Sequence, residues 1–181
     1  MSEIADILRY WFDESGPQKW FAGGPAFDAE VRARLGAAHD RAAAGALDGW
    51  AATSDGALAL LILLDQVPRN IFRGTPRAFA TDAKALAIAN AAVAADHDLA
   101  QPVPRRVFFY LPFEHSERLD DQRTSERLVR QRSGEENAIL YAVRHREIIE
   151  RFGRFPHRNA ILGRVSTPEE LEFLKEPNSS F

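Results

Sequence analysis

The stretch Ala57-Leu58-Ala59-Leu60-Leu61-Ile62-Leu63-Leu64 decides the fold class, because it is the longest apolar run in the chain. Leucine and alanine dominate it and β-branched residues are rare, which favours a helix over a buried strand. A helix that is apolar on every side must be covered on every side by other elements. The run therefore predicts a central buried helix, capped at its N-terminal end by Ser54 or Asp55. It is far shorter than the roughly 20 residues that span a bilayer, so we expect no membrane association.

Helical periodicity extends from the central run toward the N-terminus. The first helix carries an apolar stripe that begins at Ile4, with Ser2 as its N-cap. The glycines and prolines of residues 13–25 predict a loop. A second helix is expected over residues 26–44, and Gly45 ends it.

The segments that follow the central run also favour helices. Pro68 is expected to break the chain, and an alanine-rich fourth helix follows over residues 77–95. A helix that restarts at Arg105 is expected to kink or end at Pro112, and residues 113–132 are expected to form a polar helix. The remaining signals are an apolar stripe over 138–152 closed by Gly153, and a capping box at Thr167. Together they predict an all-α fold, a single domain over residues 1–181, with about seven or eight helices paired as antiparallel hairpins.

Composition excludes several classes of function. The 181 residues carry a formal net charge of -3, with no basic excess of the kind that non-specific nucleic-acid binding requires. No cysteine is present, which removes disulfides and thiolate chemistry and fits a reducing compartment. The first residues are acidic where an export signal would be basic, so we expect a cytoplasmic protein. The common phosphate-binding glycine loops and the Gly-x-Ser-x-Gly nucleophile motif are absent from the sequence.

Polar residues follow the central run directly, where packing alone would favour apolar ones. Asp65, Arg69 and Asn70 lie at its end, and Arg73 lies about one helical turn further on. An arginine can hold a carboxylate or phosphate through two parallel N–H groups, so this segment is a candidate for ligand binding. In the structural alternative, Arg69 caps the last carbonyls of the helix and pairs with Asp65.

A second polar segment lies just after Pro112. It contains Glu114, His115 and Glu117, and a histidine among carboxylates suits proton transfer, so these three are candidate catalytic residues. If the chain is helical there, Glu114, Glu117 and Asp121 share one face. The structural alternative is a solvated acidic helix face.

Two further candidates lie in the C-terminal part of the chain. His145 lies on an apolar stripe, where it is either a ligand or base, or a core histidine bonded to a carbonyl or carboxylate. After the next helix end, Arg154, Arg158 and Asn159 are suited to binding an anion, and His157 between them is a candidate for proton transfer. The alternative for this segment is a rigid turn with exposed arginines.

The motifs that carry these residues also carry a resemblance. Residues 65–74 (DQVPRNIFRG), 110–117 (YLPFEHSE) and 153–159 (GRFPHRN) resemble the bacterial domain-of-unknown-function family 924. Residues 7–12 look like the opening of that family, residues 162–170 look like its close, and the resemblance covers nearly the whole chain. It implies a tetratricopeptide-like, right-handed stack of helical hairpins. It brings no reaction, cofactor or catalytic residue.

Two hypotheses of function follow. In the first, the protein binds a small anionic ligand in a polar pocket and is a hydrolase-like enzyme, with arginines holding the anion and histidine moving a proton. No cofactor or metal is predicted. A metal on Glu114, His115 and Glu117 is the weaker variant, because adjacent residues rarely chelate one ion together from a helix. In the second, a tetratricopeptide-like groove binds an acidic peptide or a C-terminal carboxylate. The sequence does not determine an oligomeric state, since the alanine-rich fourth helix suits a subunit contact as well as a core contact.

Burial distinguishes the two hypotheses. A small-molecule site should gather Asp65, Arg69, Glu114, His115 and His157 in one enclosed cluster with perturbed ionisation. A peptide-binding module should spread the same residues along an open groove.

Overall fold

The computed structural model describes residues 2–20 and 23–180, and within those ranges the chain forms helices and turns without a β-strand. The all-α prediction is confirmed. The α-helices are α1 (Glu3–Arg9), α2 (Pro17–Trp20), α3 (Pro25–Ala43), α4 (Ser54–Leu61), α5 (Val67–Ile71), α6 (Asp82–Ala94), α7 (Val103–Glu114), α8 (Leu119–Leu128), α9 (Glu136–Phe152) and α10 (Pro168–Phe173). Turns of π-helix cover Tyr10–Ser15, Ile62–Gln66 and Val129–Ser133, and 3-10 turns cover Asp48–Ala52, Pro76–Phe79 and Pro156–Arg158.

The predicted central helix is α4, and the chain continues from it without a break through the π-turn Ile62–Gln66 into α5. Residues 56–68 are all buried, as the apolar run requires. The N-cap is Thr53, not Ser54 or Asp55, and its hydroxyl accepts a hydrogen bond from the Gly56 N–H. The two predicted caps are occupied elsewhere, because Ser54 donates to the His97 carbonyl and Asp55 accepts from Gln101.

Pro68 does not break the chain as expected. It lies in the first turn of α5, where a backbone N–H has no acceptor within the helix, so the proline removes no hydrogen bond from α5. It has no N–H to give to the preceding turn, however, and the carbonyls there need other donors. The Leu63 carbonyl contacts the His39 Nδ1 atom at 2.8 Å, and the Leu64 carbonyl accepts from the Thr81 hydroxyl at 2.5 Å. Side chains from α3 and from the start of α6 therefore stabilise the π-turn that carries Asp65.

Helix α7 passes through Pro112 and ends at Glu114, so the proline does not end it. The expected helix over residues 113–132 is wrong at its start, because the chain leaves the helical path at His115 and resumes in α8 at Leu119. Glu114, Glu117 and Asp121 therefore do not share a helix face. Gly134 ends the π-turn after α8 in the left-handed conformation, with a φ of 73°, which agrees with the predicted stop.

Other boundaries agree with the prediction to within a few residues. Helix α3 covers nearly all of the expected second helix, and the capping box at Thr167 is present. The predicted loop over 13–25 contains a π-turn and α2, while Phe21 and Ala22 lie outside the described residues. The fourth helix begins at Asp82, because the chain first makes a 3-10 turn at Pro76–Phe79 that buries Ala78.

Consecutive helices from α6 to α9 pack against one another, while α3 packs on α5 and α1 packs on α4. The large apolar cluster surrounds α4, and a smaller one at the C-terminal end contains Ile148, Ile149, Phe155 and Phe173. None of the helices in the described part of the chain has both the length and the apolar character needed to cross a membrane.

Candidate functional site

The polar cluster is built around a contact between Asp65 and His115. Asp65 is 1% exposed at the π-turn, and its Oδ1 atom lies 2.8 Å from the His115 Nδ1 atom at the end of α7. Burial alone would raise the pKa of Asp65, but the charge of Arg69 and the contact with His115 outweigh it, so this pKa lies well below its usual value. Asp65 is therefore ionised throughout the physiological pH range.

The pKa of His115 is lowered, first by burial and then by the charge of Arg69. A neutral imidazole beside an ionised Asp65 places its proton on Nδ1, where it can donate to the carboxylate. The Nε2 atom is then left with a lone pair. This is the arrangement by which a carboxylate orients a histidine as a general base.

Arg69 and Asp82 close one side of the cluster. Arg69 donates to both carboxylate oxygens of Asp82, at 2.9 and 3.0 Å, and its Nη1 atom also reaches the Asp65 carbonyl at 2.6 Å. Both side chains are about one-fifth exposed, and that of His115 is 14% exposed. The cluster therefore reaches solvent along the edge that these three side chains form.

Arg158 lies beneath this edge, 6% exposed, with its guanidinium near the rings of Phe79 and Phe155. Its Nη1 atom donates to the His115 carbonyl at 3.0 Å, while its buried Nε–H has no hydrogen-bond partner among the described residues. The nearest carboxylate oxygen within that part of the chain belongs to Asp82, at 3.7 Å, and Arg69 already holds this group. Burial and the charge of Arg69 lower the pKa of Arg158 to about 10.

Glu114 and His145 form a second pair next to the first. The Glu114 Oε1 atom lies 3.2 Å from the His145 Nδ1 atom, and the His145 ring centroid lies 6.3 Å from that of His115. Burial raises the pKa of Glu114 to about 8, while burial and the charge of His115 lower the pKa of His145 to about 3. The pair is therefore uncharged at neutral pH, with a protonated carboxyl on Glu114.

His157 completes the cluster on the side of the 3-10 turn Pro156–Arg158. Its ring lies 5.5 Å from that of Phe155, which in turn lies 5.6 Å from the ring of His145. Burial and the charge of Arg158 lower the pKa of His157 to about 4. His145 and His157 therefore both lie against the ring of Phe155, and His145 links them to His115.

Three predicted site residues belong to a separate network of contacts that holds the C-terminal segment. Glu117 accepts two hydrogen bonds from Arg164 and one from the Phe155 N–H, so it does not face His115. Arg154 donates to both oxygens of Glu170, and the buried Asn159 contacts Glu170 and Arg164. These contacts hold the segment that carries His157 and Arg158.

Arg73 and Asn70 lie apart from the cluster. Arg73 donates to both oxygens of Asp28 in α3, and its guanidinium also contacts the Asn70 amide oxygen. Asn70 donates to the Gln66 carbonyl one turn earlier. The structure therefore gathers Asp65, Arg69 and the other cluster members, but leaves Asn70 on another face of α5 and Arg73 in the turn after it.

Sequence reasoning missed Asp82, which binds Arg69 at the edge of the cluster. An acid in the first turn of a helix is typical of dipole stabilisation, so its position gave no functional signal. It also missed Ser125 in α8, whose hydroxyl is 3.5 Å from Glu114. In the described ranges, no group of three or more histidine and acidic side chains is arranged to hold a metal ion, and Glu114, His115 and Glu117 do not converge.

Comparison with known proteins places the chain in a family. The family described as "Bacterial protein of unknown function (DUF924)" has a model that matches residues 7–178. The fold is similar to that of a protein of unknown function, ATU0120 from Agrobacterium tumefaciens, with 45% sequence identity and a TM-score of 0.92. That similarity covers 96% of this chain and 97% of the other. Among curated proteins, no match to the chain is found.

Proposed function

Since the chain belongs to the DUF924 family, whose description gives no reaction, we propose a function from the geometry of the polar cluster. The protein binds a small anionic molecule and moves a proton to or from it. Arg158 supplies the positive charge that holds the anion, and His115 is the general base. The uncharged Glu114–His145 pair lies next to His115 inside the cluster, and Arg69 and Asp82 form the edge that reaches solvent.

One observation carries this proposal. Arg158 is a buried cation beside the Asp65–His115 pair, and no carboxylate among the described residues lies at hydrogen-bond distance from it. A buried charge without such a partner is costly, and a buried donor without an acceptor adds to that cost. An anionic group that accepts from Arg158 would offset both costs.

His115 is suited to act as the general base in the hydrolysis of an anionic substrate. Its Nε2 lone pair can take a proton from a water molecule while the hydroxide attacks the substrate, and the imidazolium can return that proton to the leaving group. Asp65 stabilises the imidazolium and fixes the ring orientation through Nδ1. The cluster members are buried within one small region, which supports a small molecule over a peptide as the ligand of this site.

Ligand binding is tested first by thermal unfolding with inorganic phosphate, phosphorylated metabolites and small carboxylates. A ligand at ~100 times its dissociation constant adds roughly 2.7 kcal/mol of stability, and each kcal/mol raises Tm by about 2–4 °C at this size, so Tm should rise by about 5–11 °C. The shift should be lost in Arg158→Gln and kept in Arg151→Gln, which removes an exposed arginine of α9. An equal shift in Arg158→Gln and in the native protein would contradict the anion-binding role.

The proton-transfer role needs a second measurement on the compound that binds. Calorimetry in two buffers of different ionisation enthalpy measures the protons exchanged on binding. His115→Gln should still bind the anion but should lose turnover and the proton exchange that the native protein shows. Full turnover in His115→Gln would show that His115 is not the general base, and it would leave the anion-binding proposal unaffected.

A further inference from the structure

A groove on the opposite side of α8 and α9 carries a separate excess of positive charge. It has a volume of about 460 Å³ and lies between α8, the π-turn that follows it, and α9. Its lining residues are Arg123, Glu126, Arg127, Arg130, Gln131, Arg146 and Glu150. None of these residues belongs to the polar cluster around His115.

Two of the arginines are held in place across the groove by one carboxylate. The Glu126 carboxylate accepts from the Arg130 Nε atom at 2.9 Å and from the Arg146 Nε atom at 2.6 Å. Burial would raise the pKa of Glu126, but its bonds to these two arginines outweigh that effect and lower it. Arg146 also binds Glu150, so the pair of guanidiniums is ordered before any partner arrives.

The other two arginines are available to an incoming anion. Arg127 is exposed and makes no ion pair with any residue that the structure describes. Within the described part of the chain, the ion-pair partner of Arg123 is Asp120, at 3.7 Å, and both side chains are largely exposed. Because the four arginines face two glutamates, the groove has two positive charges in excess on a chain whose formal net charge is -3.

We propose that this groove is a docking surface for an acidic segment of a partner protein. Arg123 and Arg127 lie one helical turn apart on α8, so they can each hold a carboxylate from one face of a bound segment. The excess of two positive charges can be balanced by a short acidic segment, whereas a nucleic-acid strand brings a negative charge at every phosphate, and no aromatic ring lines the groove for stacking against a base. Charge complementarity therefore favours a peptide over a nucleic acid.

The surface is distinct from the proposed small-molecule site, although the same two helices carry both. Ser125 and His145 lie on the faces of α8 and α9 that contact Glu114, whereas Glu126 and Arg146 lie on the outer faces. Changes to the exposed arginines of the groove therefore leave the buried cluster in place. The two proposals can fail independently.

The test is fluorescence anisotropy with a labelled peptide whose glutamates are spaced four residues apart, at low ionic strength. The native protein should bind the peptide, and added salt should weaken the binding. The double variant Arg123→Glu/Arg127→Glu should weaken it by about tenfold or more, since each reversal removes an attraction and adds a repulsion. The matched control is Arg118→Glu/Lys175→Glu, which makes the same change in net charge at two residues that are 79% and 67% exposed and lie outside the groove, and it should change the affinity little.

Three outcomes would overturn the proposal. One is the absence of peptide binding by the native protein at low ionic strength. A second is an equal loss of affinity in Arg118→Glu/Lys175→Glu and in Arg123→Glu/Arg127→Glu, which would mean that overall charge and not the groove binds the peptide. The third is tighter binding of an oligothymidylate of the same net charge, which would assign the surface to nucleic acid.

Discussion

Glu114 is a buried acid whose proton should be visible in the stability of the protein. Its pKa is raised to about 8 by burial, against an ordinary value of 4.5, so the folded state holds a proton that the unfolded state releases. Between these two values the unfolded state binds fewer protons, and the free energy of unfolding therefore falls as pH rises. The loss can reach about 1.4 kcal/mol per pH unit.

We therefore expect Glu114→Gln to lose this pH dependence. Glutamine has the size of the protonated acid and no charge to bury, so the variant should gain stability over the native protein from pH 5 to pH 8. Urea unfolding at each pH measures the difference. Glu147→Gln, an exposed carboxylate of the same helix as His145, is the control and should show no such trend. A constant difference between Glu114→Gln and the native protein would contradict the buried-proton interpretation.

Single residues show how much of the candidate site can be predicted from the sequence. Asp65, His115 and Arg158 were predicted because each stands as a polar residue next to an apolar helix or a turn. Arg73 and Arg154 gave the same signal, yet each holds a carboxylate of its own chain, Asp28 or Glu170. Each of these pairs joins residues that are far apart in the sequence. A local sequence pattern therefore cannot distinguish an arginine paired with a carboxylate of its own chain from one, such as Arg158, that has no carboxylate at hydrogen-bond distance among the described residues.

At the scale of elements, two glycines in helices should respond to alanine in opposite directions. Gly56 lies in the first turn of α4, where an added Cβ would be 2.1 Å from the backbone carbonyl oxygen of Trp50. Gly36 lies in the middle of α3, and the nearest atom to an added Cβ there is a side-chain carbon of Arg32 at 3.9 Å. Alanine is the better helix former by about 0.5–1 kcal/mol when nothing obstructs its methyl group.

Gly36→Ala should therefore stabilise the protein by about that amount, whereas Gly56→Ala should destabilise it by about 1–3 kcal/mol or more. The Trp50 carbonyl is backbone, so the 3-10 turn Asp48–Ala52 would have to move to relieve the contact. Chemical denaturation of the two variants beside the native protein measures both changes. A stabilising Gly56→Ala would show that the approach of this turn to α4 is not a constraint on the fold.

The elements also show why helices were predicted better than their boundaries. The apolar period of α3 or α9 depends only on residues within the helix, so both were found. The continuation of the chain through Pro68 depends on His39 and Thr81, whose side chains contact carbonyls of a distant turn. Such contacts exist only after the helices have packed, and a proline by itself is typical of a break.

At the scale of the whole molecule, the polar cluster lies where the C-terminal segment meets the bundle around α4. Asp65 and His115 come from that bundle, whereas His157 and Arg158 come from the segment after α9. This meeting of distant residues could not be predicted from spacing. Glu117 connects the two parts, because it lies between α7 and α8 and accepts hydrogen bonds from the Phe155 N–H and from Arg164.

Glu117→Gln should therefore loosen the C-terminal segment before the rest of the protein. Hydrogen bonds to a charged group contribute about 1.5–3 kcal/mol, and each 1.4 kcal/mol is a factor of ten in an equilibrium. Amide hydrogen exchange in peptides that cover residues 155–173 should accelerate by about tenfold or more, while exchange in α4 stays unchanged. Because Arg158 lies in the loosened segment, the thermal shift caused by a small anion should decrease as well.

Glu169→Gln is the matched control for this variant. Glu169 is a largely exposed carboxylate in the same segment and pairs with Arg151, an exposed residue of α9, so its loss should cost little. If both variants accelerate exchange equally, many contacts hold the segment together, and Glu117 contributes no more than Glu169. If Glu117→Gln accelerates exchange in α4 as much as in residues 155–173, the two parts open together as one unit. Either result would contradict a C-terminal segment whose attachment depends mainly on Glu117 and which opens separately from the bundle.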